Sequence, residues 1–479
     1  MLAIALGVAL TLTLPPFAWG WLLPLVLALV FRSRRGFGFG FFLGLGFWGV
    51  HLAWLPASFE ARFGALGVLP GIFLIGFLAL LYGALFAVFG RRPLALAAAW
   101  VLLEAALALS PWPFPWGALG YAAAGGGTRL LAALVGLRGL SLLALLAGYA
   151  LSRGRPILAL FWALSWFAPL PQAEPAQQAL LMQGALDPLA KAAGEPAEAR
   201  YRRLTEEGLA AHPEARLVVW PETAVRYVPE EVDRALGDRP LVYGTWGPGL
   251  KNEVRLRLHG RDVARYAKHV LVPFGEYFPG REWLGSLYRW FFQHFGLPEL
   301  LDIKPGTELR PLGPYAAFIC YETDFPELVR RLGQNARLLI NVSNDAWFGV
   351  GYGRRQHLMM SRMRAVEEGL WLLRAANDGI SAAIDPYGRV VARTDEGEPA
   401  LLFAPYALRE GAGTLYARLG ELPVLGAAYA LLVFSLLGTG AKSSPPLRGP
   451  AGPGDSSAAA ARRRRIAARA RSQGARRRG

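Results

Sequence analysis

Cys320 is the single cysteine of the chain, and it lies in the stretch Ala316-Ala317-Phe318-Ile319-Cys320-Tyr321-Glu322-Thr323-Asp324. Phe318 and Ile319 suit a buried strand, and Thr323 or Asp324 can cap a helix through Phe325-Pro326-Glu327-Leu328-Val329. Cys320 is therefore expected where a strand turns into a helix. A thiol near a helix N-terminus has a depressed pKa, because the dipole favours the thiolate, so Cys320 is a candidate nucleophile. The plain alternative is a small buried hydrophobe. Two upstream stretches each set a charged residue at or beside the end of an apolar run. They are Val218-Val219-Trp220-Pro221-Glu222-Thr223-Ala224 and Tyr266-Ala267-Lys268-His269-Val270-Leu271-Val272-Pro273-Phe274-Gly275-Glu276-Tyr277. Acyl transfer through a thiol needs loss of the thiol proton, a stabilised oxyanion and a proton for the leaving group. Pro221 disfavours continued sheet pairing, so Glu222 can face a pocket. Read plainly, Glu222 is a surface acid, Lys268 a solvated edge cation and Glu276 a capping carboxylate.

These residues need a scaffold. From about residue 179, short β-rich runs alternate with charged helical stretches. Strands are expected at 179–183, 216–220, 241–245, 253–258, 263–272, 316–320 and 338–342, with helices at 198–210 and 356–374. A strand pair, 379–385 and 389–393, flanks the turn Pro386-Tyr387-Gly388. Mixed elements over this length predict one α/β domain with helices covering a sheet.

The rest is too apolar for a soluble chain. Hydrophobic residues make up 53% of the 479, mean hydropathy is +0.29, and fifteen Trp suit interfacial belts. The length suits about two to four ordinary domains. One Cys excludes an intramolecular disulfide and a cysteine-rich metal site. Apolar runs at 2–14, 19–31, 36–55, 68–89, 93–109, 130–151 and 157–168 predict about seven spans, and 423–437 predicts one more. Pro15-Pro16 reads as the turn of a tight hairpin, and the first run lacks the basic flank of a signal peptide. Arg32, Arg34 and Arg35, then Arg91 and Arg92, then Arg153 and Arg155 follow alternate runs. By the positive-inside rule those ends are cytoplasmic and residues 170–415 lie outside. The net charge of +16 is concentrated in the tail from Lys442, whose ten Arg, one Lys and one Asp give +10. That Pro/Gly/Ala/Ser/Arg-rich tail reads as a disordered cytosolic anchor near anionic lipid rather than a nucleic-acid arm. Glu104, inside an apolar run, is either functional or paired with Arg138 or His51.

Glu222, Lys268 and Cys320, in that order, resemble the triad of the nitrilase superfamily. The longer phrases resemble its membrane-embedded branch, the apolipoprotein N-acyltransferases. They are Trp-Pro-Glu-Thr-Ala at 220–224, Leu-Val-Pro-Phe-Gly-Glu at 271–276, and Asn-Val-Ser-Asn-Asp-Ala-Trp-Phe-Gly at 341–349. Gln356-His357, Arg362-Met363-Arg364-Ala365-Val366-Glu367-Glu368 and Arg374-Ala375-Ala376-Asn377-Asp378-Gly379-Ile380-Ser381 continue the match, and so does the loop Pro111-Trp112-Pro113-Phe114-Pro115-Trp116-Gly117. The resemblance covers about 1–438, excludes the Arg-rich tail, and departs at Gln183, which is followed by Gly184 where the family usually has an Asn soon after.

The resemblance implies a multi-pass α-helical membrane domain of about eight spans plus an α/β nitrilase-like αββα sandwich. The expected divisions are 1–170 membrane domain, 171–415 extracytoplasmic catalytic domain, 416–438 last span and 439–479 tail. It implies Glu222 as general base and later acid, Lys268 and the Tyr321 N–H as oxyanion donors, and Glu276 as a further essential acid. Glu322 and Asn344 would support the pocket, and Trp220, Trp116, Phe114 and Trp347 would contact substrate. His357 is read as structural, since Glu222 is the base. The implied reaction moves an acyl chain from a phospholipid, through a Cys320 thioester, to the α-amine of a diacylglyceryl-cysteine apolipoprotein. It uses no metal or other cofactor and no nucleic acid, and a monomer in the bacterial inner membrane is expected. The alternatives are a membrane-anchored amidase acting on a small C–N substrate and a non-catalytic scaffold.

Overall fold

A computed structural model describes residues 1–33, 36–187, 196–278, 280–294, 303–349 and 351–437, apart from the side chains of residues 62, 63, 291, 292, 294 and 347. Arg34, Arg35 and the tail from 438 lie outside the described residues.

The apolar first part folds into helices Leu2–Leu12, Leu23–Arg32, Phe37–His51, Trp54–Phe63, Val68–Phe89, Pro93–Leu109, Ala132–Ser152 and Ile157–Trp166, and Leu422–Leu437 joins them after the sheets. Two apolar helical stretches, Ala65–Phe89 and Gly127–Ser152, are long enough to cross a membrane. The expected span at 36–55 is instead a pair, Phe37–His51 and Trp54–Ala61, bent by 53°. It makes a third span if counted as one, and the other apolar helices are shorter. Small residues let these helices touch: a Cβ on Gly7 would lie 2.1 Å from the Leu43 carbonyl oxygen, and one on Gly46 would lie 2.2 Å from that of Ile4.

The span expected at 130–151 falls within Gly127–Ser152 but carries a kink. Gly136 has φ +66 and ψ −177, so the helical hydrogen bonding lapses there. A freed backbone N–H in an apolar setting needs a partner. The Leu137 N–H finds one at 2.8 Å in Glu367 Oε1, which belongs to the sheet-bearing part.

That part holds two sheets. Strands β1 (Gln177–Gln183), β2 (Leu217–Val219), β3 (Leu241–Gly247), β4 (Lys251–Leu258), β5 (Arg261–Ala267) and β11 (Ala400–Tyr406) form one, in the order β11-β1-β2-β3-β4-β5. Strands β6 (Tyr315–Ile319), β7 (Leu338–Ser343), β8 (Leu372–Ala376), β9 (Ala382–Ile384) and β10 (Val390–Arg393) form the other, in the order β10-β9-β8-β7-β6. Alternation sorts the faces. Leu181, Val219 and Val242 pack toward Ala316, Phe318 and Ile340 of the second sheet, while Leu180, Val218 and Leu241 pack outward with Tyr201, Val232 and Leu236 of helices Ala197–Ala211 and Glu230–Leu236. Helices Pro326–Gly333 and Gly353–Glu368 cover the other side, completing an αββα arrangement. Tyr321, Phe325, Phe348, Met360, Met363 and Val366 then join the apolar core of the first part, so the two parts share one core.

One expected element is corrected. The helix at 356–374 stops at Glu368, where Gly369 adopts a left-handed cap at φ +63, and Leu372–Ala376 is a central strand paired with β7 and β9. An apolar run such as Leu370-Trp371-Leu372-Leu373 fits a buried strand as well as a helix, and Gly369 was the stop signal. The expected strand at 263–272 likewise ends at Ala267, leaving Lys268 just beyond it. Strand β11 and helices Glu230–Leu236 and Arg281–His294 were not anticipated.

Replacing Glu367 by Ala strands the Leu137 N–H in the interior and removes the carboxylate 2.9 Å from the buried Arg364. A loss of about 3–5 kcal/mol is expected, most of it from the stranded charge, read as a lower thermal midpoint in detergent. An unchanged midpoint would show that the kink does not depend on this bond.

Candidate active site

Three strand ends converge. Glu222 follows β2, Lys268 follows β5 and Cys320 follows β6. All three are buried, with Lys268 at 1% exposure. The loop carrying Glu222 lies tightly on β3: a Cβ on Gly244 would sit 2.5 Å from the Pro221 carbonyl oxygen and 2.6 Å from Glu222 Cα. Asn252 Nδ2, on β4, donates to Glu222 Oε1 at 2.7 Å. Lys268 Nζ donates to Glu276 Oε1 at 2.7 Å and lies 3.4 Å from Glu222 Oε1. Glu276 Oε2 accepts from the Val272 N–H at 2.8 Å, which fixes the turn after Lys268. The Cys320 thiol lies close enough to the Glu222 carboxylate for the two to shift each other's protonation, and Glu222 Oε2 is buried with no hydrogen-bond partner among the described residues.

The electrostatics correct the helix-dipole expectation. Cys320 begins a short 3-10 turn, Cys320–Asp324, and neither Thr323 nor Asp324 caps the helix Pro326–Gly333, whose first residues follow Phe325 instead. Burial pushes the Cys320 thiol up, the Glu222 carboxylate pushes it further, and Lys268 opposes them without winning. The balance of these influences favours the protonated thiol. Burial also raises Glu222 and Glu276 adds to it, while Lys268 and Asn252 pull it down. Burial alone would lower Lys268, but Glu276 and then Glu222 hold it above the ordinary lysine range. The arrangement is a thiol beside a carboxylate able to take its proton, with a cation next to both.

Glu322 ties the strand ends together. Its Oε1 accepts from Tyr266 Oη at 2.8 Å, the His269 N–H at 2.6 Å and the Val270 N–H at 3.2 Å, and its Oε2 accepts from the Ile319 N–H at 2.8 Å. It thus links the turn holding Cys320 to the chain on either side of Lys268. Tyr321 Oη donates to the Pro113 carbonyl at 2.7 Å, resting the residue after the nucleophile on the proline-rich loop of the helical part.

The other expected residues divide. Phe114 lines a small cavity with Trp48, Tyr82, Trp100 and Glu104. Trp116 is buried between Trp54, Phe348 and His357, with Nε1 donating to Gln356 Oε1 at 2.9 Å. It packs the boundary between the two parts rather than lining that cavity. Trp220 is a correction: its ring is fully buried against Tyr201 and Tyr243 and its Nε1 donates to Thr205 Oγ1 at 3.1 Å, so it packs the outer layer. Asn344 Oδ1 accepts from Asn377 Nδ2 at 3.3 Å rather than from a member of the triad. Trp347 lies in the turn Asp345–Phe348, and its side chain is outside the described residues. Glu104 pairs with neither Arg138 nor His51. Its Oε1 accepts from the Leu119 N–H at 2.9 Å, Arg138 pairs with Glu421, and His51 contacts Gln356.

Residues that the sequence reading did not single out also matter. Asn252 is a buried amide inside an otherwise alternating strand, and that misplaced polarity was its one signal. Gln356, quoted above within a family phrase but given no role, bridges separate elements of the helical part: Oε1 accepts from Trp54 and Trp116, each at 2.9 Å, and Nε2 donates to the carbonyls of His51 at 3.1 Å and Pro15 at 3.3 Å.

A Glu222→Gln variant removes the charge that most opposes the thiolate after burial itself. Alkylation of Cys320 by iodoacetamide at pH 8 should then speed up about tenfold for each tenfold gain in thiolate, although the base is gone. Slower alkylation would mean that Glu222 activates the thiol even toward an alkylating agent.

Both parts of the chain match known families. Residues 250–411 match the carbon-nitrogen hydrolase family, and residues 6–150 match the apolipoprotein N-acyltransferase N-terminal domain. The chain is 36% identical over 271 residues to the apolipoprotein N-acyltransferase of Azotobacter vinelandii, covering 52% of this chain and 50% of that one. With that relative the match thus spans about half its length. The proteins of the same name from Pseudomonas syringae pv. tomato and Photobacterium profundum are 31% and 30% identical over 420 and 438 residues. Those matches cover 75% and 80% of this chain, and 80% and 82% of the relatives. With both the helical part and the sheet-bearing part matched, the chain belongs to the apolipoprotein N-acyltransferase family.

Proposed function

We propose that the chain transfers a fatty acyl group from a membrane phospholipid to the N-terminal α-amine of a diacylglyceryl-cysteine apolipoprotein, the last step of bacterial lipoprotein maturation. The observation that carries this reading is the burial of Glu222, Lys268 and Cys320 at three converging strand ends, with Tyr321, next to the thiol, packed into the apolar core of the helical part. The donor class, typically the sn-1 chain of phosphatidylethanolamine, comes from the family.

The steps follow from the groups present. Glu222 takes the Cys320 proton as Sγ attacks the ester carbonyl. Lys268 Nζ and the Tyr321 N–H stabilise the oxyanion. The tetrahedral species collapses, the C–O bond breaks, and Glu222 returns the proton to the lysophospholipid oxygen, leaving a thioester. The acceptor amine then attacks the thioester, Glu222 takes the amine proton, the C–S bond breaks, and the proton returns to Sγ. The products are an amide and free enzyme, with no external energy source.

The membrane arrangement belongs to the same proposal: about eight spans, residues 1–170 and 416–438 embedded, 171–415 on the outer face of the inner membrane and both ends cytoplasmic. Arg32 Nε donates to the Ser152 carbonyl at 3.0 Å, which supports one basic side, next to Arg153. The sheet-bearing part meets the loops at Pro15, His51, Pro113 and Trp116, which supports the opposite side as outer. Trp283, Leu287 and Trp290 are exposed on the helix Arg281–His294 shortly after Glu276, which supports contact with lipid. All triad members come from one chain, so a monomer suffices.

Full-length protein in detergent, mixed with phospholipid alone, should gain the mass of one acyl chain. The adduct should be labile to hydroxylamine, absent in Cys320→Ala, and removed by a diacylglyceryl-cysteine peptide that gains an amide. Absence of both adduct and lysophospholipid would defeat the lipid-donor reading and turn attention to small amides.

The pH dependence has a defined sign. Glu222 must be ionised to take the thiol proton, and burial raises it, so kcat/KM should fall as pH drops through a value above the ordinary carboxylate range of about 4.3. Asn252→Leu removes a donor that favours the ionised form, so this acidic limb should move to higher pH. A limb that stays put would assign it to another group.

A further inference from the structure

We infer that His357 is a positioning residue for the oxyanion: by holding the Cys320 carbonyl it aims the Tyr321 N–H into the reaction site. The inference rests on the acyl-transfer reading and adds a residue to it.

Cys320 has φ +50, a left-handed conformation uncommon for a residue with a Cβ, so something must hold it. His357 Nε2 lies 3.2 Å from the Cys320 carbonyl oxygen. The Cys320 C=O and the Tyr321 N–H belong to one planar trans peptide and point in opposite directions. Whatever fixes the carbonyl therefore fixes the N–H. A donor on the carbonyl also polarises the N–H beyond it, strengthening it as a donor. In a turn that begins at Cys320, the Tyr321 N–H comes too early to have an intrahelical acceptor.

His357 is itself immobilised. It is fully buried, with Trp116 and Phe348 against its ring at centroid distances of 5.9 and 5.0 Å. Its Nδ1 lies 2.9 Å from Arg374 Nη2 and 3.1 Å from Asp345 Oδ1. Arg374 Nη2 also donates to both oxygens of Asp345, at 2.8 and 2.6 Å, and Ser343 Oγ donates to Oδ1 at 2.6 Å. A carbonyl oxygen only accepts, so Nε2 carries the proton that reaches Cys320, and in the neutral ring Nδ1 then accepts from Arg374. Burial and then Arg374 hold His357 below the ordinary histidine range, in keeping with this neutral form. Both ring nitrogens are engaged by groups other than the thiol, so His357 acts through the peptide and not as the base. Trp116 carries the bracing across the boundary, since it comes from the loop of the helical part.

Thioester formation and its aminolysis both pass through an oxyanion, whereas alkylation of the thiol by iodoacetamide does not. Full-length protein in detergent would be acylated in single turnovers with phospholipid and, separately, with a p-nitrophenyl acyl ester. Cys320 alkylation would be followed alongside in wild type, His357→Leu, His357→Asn and His357→Gln. Acylation by the p-nitrophenyl ester should fall about tenfold to hundredfold in His357→Leu, with KM little changed and alkylation within about twofold of wild type. His357→Gln, which retains an N–H donor of similar reach, should recover much of the loss, and the shorter His357→Asn should not. If His357→Leu does not fold, the ratio of acylation to alkylation in His357→Asn decides. An unchanged ratio, a parallel fall of both rates, or no recovery with Gln would each overturn the inference. Wild type acylated by the p-nitrophenyl ester but not by phospholipid would fail the donor assignment alone and leave this inference standing. Wild type acylated by neither would end both.

Discussion

Lys268 is a fully buried cation, and it stays charged because Glu276 and Glu222 flank it at 2.7 and 3.4 Å. A lone charge in an interior of low dielectric would lose its proton or unfold the region. One cation between two carboxylates leaves the cluster with a surplus negative charge when both acids are ionised. A thiolate would add another, which is why burial and Glu222 hold the Cys320 thiol above its ordinary range although a lysine stands nearby. In the proposed reaction the thiol keeps its proton until a substrate carbonyl arrives, and the proton then passes to Glu222 as negative charge builds on an oxygen facing Lys268. Glu276 shares Lys268 with Glu222, so Glu222 is not fully committed to an ion pair.

That cluster exists only if three strand ends from two sheets meet in register. Glu322 supplies much of the junction, since one carboxylate accepts from Tyr266, His269, Val270 and Ile319. Asn252 donates to the Glu222 carboxylate, and Gly244 allows the Glu222 loop to approach. On the other side, polar ties cross to the helical part at points where apolar helices leave backbone groups unpaired. Glu367 meets the Leu137 N–H, Gln356 meets the carbonyls of His51 and Pro15, and Arg129 Nε donates to the Tyr387 carbonyl at 2.8 Å. In an apolar surrounding such groups must be satisfied, so these bonds also fix where the two parts sit relative to each other. The scaffold that presents Cys320 is therefore built jointly by both parts.

Much of this was legible in the chain itself. Apolar runs marked the helices, alternation and turn residues marked most strands, and charged residues at the ends of apolar runs marked Glu222, Lys268 and the thiol between strand and turn. The failures have local causes. The buried strand Leu372–Ala376 read as helix because a short apolar run carries no period of its own, and the break at Gly136 was invisible inside an apolar stretch that looks continuous. Trp220 drew attention through the phrase around Glu222, yet its ring turns away to pack against Tyr201 because side chains alternate along a strand.

Residue type and order by themselves determined which chemistry was available: one thiol, a carboxylate and a lysine, each at the end of an element, attached to enough apolar helix to require a membrane. Only the tertiary structure decided how those groups behave. Whether a thiol near a turn is a thiolate or a thiol depends on what surrounds it, and burial beside Glu222 outweighed the short turn and Lys268 together. Whether Gln356, His357 and Glu367 are packing or control depends on which distant backbone atoms they reach, 230 residues away for Glu367 and Leu137. Such contacts join positions that have no relation along the chain, so their energies arise only when the fold brings them together.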